Sequence, residues 1–201
     1  LTDGNQSPLW RNMMKNVYSL EAFGISPDKF RLDVWYNNPA TGVNMNYIPR
    51  DPLNGKLLIQ VLNLDRIDAQ QMSGSDGFFD FVPNAATTGG LIDASTGRVF
   101  FPVVEPFGAH LKQKILDGLG NTAQAQQVIS QVVFQALYDS TKTAAQTGFP
   151  QLNRFRIKGQ YQSASGNEIS LNAINIPQGA VTVTAGGMKL NEGTEGVPLL
   201  K

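Results

Sequence analysis

Apolar and polar residues alternate most cleanly between Phe30 and Tyr36, where Phe30, Leu32, Val34 and Tyr36 interleave with Arg31, Asp33 and Trp35. A period of two marks a strand with one buried face, so this segment predicts a half-buried β-strand. Ser26-Pro27-Asp28 ahead of it is turn chemistry, and Tyr18, Leu20 and Ala22 share one face before that turn. The segments 15–23 and 29–36 are therefore expected to form a hairpin. Further upstream, Ser7-Pro8 suits a helix N-cap and first position, and Leu9, Met13, Val17 and Leu20 follow at helical spacing, which predicts a short helix over 8–14. Downstream, Asn37 to Gly42 is loop, and Met45 to Ile48 is a brief pairing segment cut by Pro49 and Pro52. Three more strands are expected, at Lys56 to Leu64, Phe78 to Val82 and Arg98 to Val104. Pro102 inside the last of these points to an edge or a bulge.

After Pro106 the period lengthens. Phe107, Leu111 and Ile115 fall at i, i+4 and i+8, the stripe of an amphipathic helix, and Gly118 and Gly120 end it. Asn121 with Gln124 resembles a capping box. The helix after it carries Ala125, Val128, Ile129, Val132, Ala136 and Leu137 on one face, opposite Gln124, Gln127, Gln131 and Gln135. That amide face is either solvated or a neutral surface for another part of a larger protein. From Asn153 the alternation returns: Arg154 to Tyr161, Glu168 to Ile176 after a turn at Ser165-Gly166-Asn167, Ala180 to Thr184, and Met188 to Leu190 after Gly186-Gly187. The pattern predicts an α+β, β-rich fold of antiparallel strands and hairpins, with two helices near 105–138 and a C-terminal β-meander. Phe30, Leu32, Val34, Phe155, Ile157, Ile169 and Leu171 are the expected core. No fixed-period repeat occurs, and one domain over 1–201 is expected, its softest boundary near 140–151.

Composition narrows the function classes. Sixteen basic residues balance sixteen acidic ones, so there is no basic excess for a general nucleic-acid binder. No apolar run approaches the ~20 residues of a membrane-spanning helix. The absence of cysteine removes disulfides, thiolate metal sites and cysteine nucleophiles. The chain opens at Leu1 without a signal-like apolar stretch, as expected of a piece of a longer or processed protein.

Candidate chemistry is sparse. His110 is the single histidine, and no glycine-framed nucleophilic serine accompanies it, so a structural or surface role on the flank of a helix is expected. No phosphate-binding glycine loop occurs. Carboxylates concentrate at Asp65, Asp68, Asp76 and Asp80. Asp76-Gly77 matches the centre of a calcium loop, but Met72 and Gly74 stand where an EF-hand needs oxygen ligands. Asp65, Asp76 and Asp80 remain weak candidates for a less regular calcium site, with backbone hydrogen bonding in turns as their plainer role. Carboxylate pairing for glycoside hydrolysis depends on three-dimensional separation, and nothing in the sequence promotes it. Trp10, Trp35, Tyr36, Phe78, Phe79 and Phe81 are expected in the core, or alternatively along a sugar or peptide groove.

Several stretches taken together are more specific than any motif. They are LWRNMMKNVYSL (Leu9 to Leu20), FRLDVWY (Phe30 to Tyr36), NLDRIDAQ (Asn63 to Gln70), SDGFFDFVP (Ser75 to Pro83), TGRVFFPVVEPFGAHL (Thr96 to Leu111), LYDSTKTAAQ (Leu137 to Gln146) and the run from Asn153 to Gly193. Over about Leu9 to Gly193 the chain resembles the SprA/Sov family of Bacteroidetes cell-surface proteins, the outer-membrane translocon of the type IX secretion system, needed for gliding motility in gliding members. The tail from Thr194 to Lys201 departs from the family pattern. The resemblance implies a soluble region of a giant β-barrel protein, facing the cell surface or the periplasm and not itself membrane-spanning. It implies a non-enzymatic structural module with no catalytic residues and no cofactor. The implied partners are the remainder of the translocon barrel, a PorV-like protein, a plug protein and secreted cargo proteins. The alternative expectation is a cell-surface glycan- or calcium-binding β-module.

Overall fold

The computed structural model describes residues 9–67, 70, 72–83 and 90–164, and the backbone of 183–185 and 188–190. In chain order the strands and helices are β1 (Val17–Ser19), β2 (Arg31–Asn37), β3 (Asn44–Met45), α1 (Leu58–Val61), β4 (Ile92–Asp93), β5 (Arg98–Phe100), a π-helical turn (Pro106–His110), α2 (Leu111–Leu119), α3 (Ala123–Val132), α4 (Gln135–Tyr138), α5 (Lys142–Gly148), β6 (Phe155–Gln160), β7 (Val183–Ala185) and β8 (Met188–Leu190). The fold is α+β. One sheet has the order β1-β5-β4 and another β3-β2-β6, and every strand pair is antiparallel. β7 and β8 pair, Val183 opposite Leu190, and the expected turn at Gly186-Gly187 lies outside the described residues. The rest of the C-terminal meander, with Ile169 and Leu171, lies outside the described residues, as does Asp68. Among the described residues no helix is long and apolar enough to cross a membrane.

β2 forms as its alternation requires. Leu32, Val34 and Tyr36 are buried while Arg31 stays exposed. Its long partner is β6, in a register running from Arg31 opposite Gln160 to Tyr36 opposite Phe155. The expected hairpin of 15–23 with 29–36 does not form. Glu21 (φ 54°) and Gly24 (φ 63°) turn the chain through left-handed backbone, which ends an extended strand. β1 pairs instead with β5, Val17 opposite Phe100. Gly97, in the turn between β4 and β5, has φ 60°, and a Cβ there would lie 2.0 Å from the carbonyl oxygen of Ala22. The bend and that turn therefore fit only with glycine at this position.

Two more expected strands are corrected. Lys56 to Leu64 contains the single helical turn α1, because Leu58, Ile59, Val61, Leu62 and Leu64 are all buried. An apolar run surrounded on every side carries no period to read. Asn63 (φ 61°) closes the turn. Phe78 to Val82 is extended loop: its backbone meets Leu64 through the Asp80 N–H and receives Leu91 and Ile92 at the Val82 carbonyl. Strand β5 stops at Phe100, ahead of Pro102. The expected helix over 8–14 is reduced to a 3-10 turn at Trp10–Asn12.

In the helical half, Leu111 and Ile115 are fully buried, and Gly120 (φ 64°) ends α2 through its N–H on the Leu116 carbonyl. Thr122, not Asn121, caps α3, accepting the Ala125 N–H at 3.1 Å. The helix expected to run to 138 breaks at Val133, which is extended, and at Phe134, whose backbone (φ -109°, ψ 73°) is not helical. Three β-branched or aromatic residues in succession, Val132-Val133-Phe134, disfavour a continuous helix. The stretch 140–151 holds α5 and a 3-10 turn at Pro150–Leu152.

A ladder of rings joins the two sheets. Tyr18 of β1 meets Phe101 (centroids 5.8 Å apart), Phe101 meets Phe107 of the π-helical turn (5.5 Å), Phe107 stacks on Phe155 of β6 (4.4 Å), and Phe155 meets Tyr36 of β2 (5.5 Å). Such contacts add about 0.5–1.5 kcal/mol each beyond the area they bury.

Candidate binding cleft

The aspartates singled out by sequence come together as staples of the loop that follows α1. Asp65 is almost fully buried. Its Oδ1 accepts the Asp76 N–H at 3.0 Å, and its Oδ2 accepts the Gly77 N–H at 2.9 Å and Gln60 Nε2 at 3.0 Å. Asp80 Oδ2 accepts the N–H groups of Arg66 (2.6 Å) and Ile67 (3.1 Å). Asp76 folds back on the Phe78 N–H at 3.0 Å. Burial pushes the Asp80 carboxyl above its ordinary range; the two backbone donors pull it back, and the neighbouring Asp65 and Asp76 charges add to the rise. Asp65 and Asp80 do what a buried loop demands, since a buried N–H must find an acceptor, whereas the Asp76–Phe78 bond is exposed. Among the described residues no group of three or more acidic, histidine or cysteine side chains is placed to hold a metal ion.

His110 ends the π-helical turn, half-buried, with Nε2 2.8 Å from the Val61 carbonyl oxygen. A carbonyl partner requires a proton on that nitrogen. His110 therefore ties the turn to α1. The aromatic candidates divide. Phe79 and Phe81 both pack on Phe30, at 5.3 Å, and Tyr36 is core. Trp35 carries Lys158 Nζ over its ring at 4.8 Å, and Phe78 is exposed beside Arg31. Tyr36 also borders a small hollow beside Arg50 and Arg154, and Trp10 lines a separate, larger cleft.

That cleft, about 540 Å³, lies between the segment Trp10 to Asn16, the π-helical turn, α4 and α5, and the start of β6. Its walls include Trp10, Met13, Phe107, Leu137, Tyr138 and Phe155. A polar cluster anchors one side. Trp10 Nε1 donates to the Tyr138 carbonyl at 2.7 Å. The Tyr138 hydroxyl accepts the Phe107 N–H at 3.1 Å and donates to Asn16 Oδ1 at 2.8 Å, and Asn16 Nδ2 donates to the Tyr18 hydroxyl at 2.7 Å. Lys15 Nζ stands 3.3 Å from Glu105 Oε1 and 5.1 Å from the Trp10 ring centroid, while Gln135 Nε2 holds the other Glu105 oxygen at 3.1 Å.

Burial drives the Tyr138 phenol far above its usual range, against the Phe107 N–H and the Asn16 amide, which pull it down, and with the nearby Tyr18 and Glu105 raising it further. Burial likewise raises Tyr18, against Asn16. Both phenols stay neutral, so they act as hydrogen-bonding groups and not as bases or nucleophiles. The arrangement can bind and orient; it contains no nucleophile paired with a base.

Sequence reasoning singled out none of Lys15, Asn16, Glu105 or Tyr138, although all four lie inside stretches that carry the family resemblance. A scan against protein-family models finds no match to this chain, and no curated protein matches it.

Proposed function

We propose that this chain is a non-enzymatic structural module of a type IX protein-secretion translocon, acting at the outer membrane in a machine that also serves gliding motility. The observation that carries this is the use of the polar residues in the family-like stretches. Asp65 and Asp80 gather the backbone of two of them, and Asn16, Glu105 and Tyr138 lock three others together. In an enzyme, some of those groups would face open space with a base or an acid beside them. Here they are consumed in holding distant segments in place, as a scaffold requires. The module's contacts would be the remainder of the translocon barrel, a PorV-like protein, a plug protein and cargo proteins in transit.

The test is a cargo-secretion assay in a bacterium whose full-length translocon carries single changes in this region. His110→Ala, Asp76→Asn and Asp80→Asn should leave secretion largely intact. Ile115→Asp, which buries a charge in the core, should abolish it by misfolding. Lost secretion for Asp76→Asn or Asp80→Asn, with normal protein level and unchanged melting temperature, would overturn the scaffold assignment and place a specific site in that loop.

A further inference from the structure

The cleft at Trp10 has an unbalanced charge. Lys15, Lys142 and Arg154 line it, and no Asp or Glu does. Lys15 is neutralised from behind by Glu105. Lys142 is exposed and makes no ion pair among the described residues, and Arg154 has only the neutral Asn37 amide oxygen, at 3.3 Å. Two cations therefore stand uncompensated on a wall of mostly apolar side chains. That wall is adaptable, because Met13 and Met14, both about half exposed (52% and 49%), are unbranched and polarizable. The side-chain amides of Gln146 and Asn153, on the same wall, have no partner among the described residues.

We infer that this cleft binds an extended polypeptide segment carrying an aromatic or large aliphatic side chain next to a carboxylate. The apolar side chain enters between Trp10, Met13 and Leu137. The carboxylate meets Arg154, whose planar fork takes a carboxylate through two parallel hydrogen bonds, with Lys142 as a second positive charge. The amides of Gln146 and Asn153 pair with the segment's backbone. That last feature favours a peptide over a fatty acid, since an acyl chain offers an amide no partner. Methionines in the wall make the site select a class of segment more than one sequence, as flexible Met-rich surfaces do. The inference stands independently of the secretion assignment, because it rests on the cleft alone.

The experiment uses the whole 201-residue chain and a displayed library of random twelve-residue peptides, selected in parallel on the parent chain and on Lys142→Gln/Arg154→Gln. Selection on the parent should enrich peptides with Asp or Glu beside Phe, Tyr, Trp or Leu, and the double variant should not enrich them. Synthetic copies of the enriched peptides are then titrated against Trp10 fluorescence in a Trp35→Phe background, which leaves Trp10 as the single tryptophan. Binding should weaken about tenfold in Lys142→Gln/Arg154→Gln at unchanged melting temperature, and should weaken again as salt is raised. Dodecanoate is titrated as the acyl-chain arm and should change Trp10 emission only at far higher concentration. No enrichment, enrichment without acidic residues, equal binding by the double variant, or dodecanoate binding as tightly as the peptides would each overturn the inference.

Discussion

Asp65 and Asp80 are two buried carboxylates with different tolerances for losing their charge. Asp65 uses both oxygens as acceptors, so Asp65→Asn turns one acceptor into a donor that faces a donor. An unsatisfied buried group of this kind costs about 1–3 kcal/mol, which urea denaturation should show as a lowered midpoint at unchanged slope. Asp80 receives both its N–H groups on a single oxygen, and an amide oxygen can take that place. Its folded carboxyl is raised, so the folded state holds the proton more tightly than the unfolded one. The stability this contributes is full below the unfolded carboxylate range and is lost as pH rises through the folded value, leaving a charge that opposes folding near neutrality. Asp80→Asn should therefore melt at or above the parent temperature at pH 7 and lose that advantage in acid. Asp93 behaves oppositely. Hydrogen bonds from the hydroxyls of Ser95 and Thr96 hold its carboxyl down at about 2. Its contribution is present above the unfolded value of about 3.9 and fades as pH falls towards 2. A carboxyl-carbon NMR titration should show Asp93 as a late-protonating group, and Ser95→Ala/Thr96→Val should return it to the ordinary range.

Elements carry the next set of consequences. Because Thr122 caps α3, Thr122→Ala should cost about 0.5–2 kcal/mol, with an accompanying loss of helical circular dichroism on mild heating. Asn121 makes only an exposed contact with Gln126, so Asn121→Ala should stay within about 0.5 kcal/mol of the parent. The comparison tests which residue starts the helix. Sequence placed the start one residue early because Asn121 and Thr122 are both good capping types, and spacing to a glutamine does not separate them. β2, α2 and the body of α3 were legible because each has one wet face and one dry face, and β6 because Phe155 and Ile157 lean on the core, half-buried, alternating with exposed Arg156 and Lys158. α1 was not, since its surroundings are apolar all round, and neither was the partner of β1. Alternation tells which face of a strand is buried; it does not tell which other strand lies beside it. That choice was made by two left-handed residues, Glu21 and Gly24, and left-handed Glu has no sequence signal.

At the scale of the molecule, the cleft was illegible for a related reason: Trp10 and Lys15 meet Tyr138 and Glu105 across long stretches of chain, and no local pattern announces such a meeting. Tyr138 is the point where three of those stretches converge. Tyr138→Phe removes the hydroxyl that accepts the Phe107 N–H and donates to Asn16 Oδ1, while Asn16 Nδ2 keeps Tyr18, so a loss of about 1–3 kcal/mol is expected. Hydrogen exchange should show the Trp10 to Asn16 segment opening first; an unchanged midpoint would mean that the segment is held by ring packing alone. The pairing of β2 with β6 has a consequence for how the molecule comes into being. Its partners are separated by more than a hundred positions, and β1 waits similarly for β5. A chain emerging N-terminus first, whether from a ribosome or from a translocation pore, cannot close either sheet until its late strands arrive. Such non-local topologies fold slowly, and in the interval β2 presents an unpaired, alternating edge that readily adds to another strand. The nascent chain should therefore depend on a holding chaperone until residue 160 is free, and release at any earlier position should yield aggregates and not a smaller folded unit.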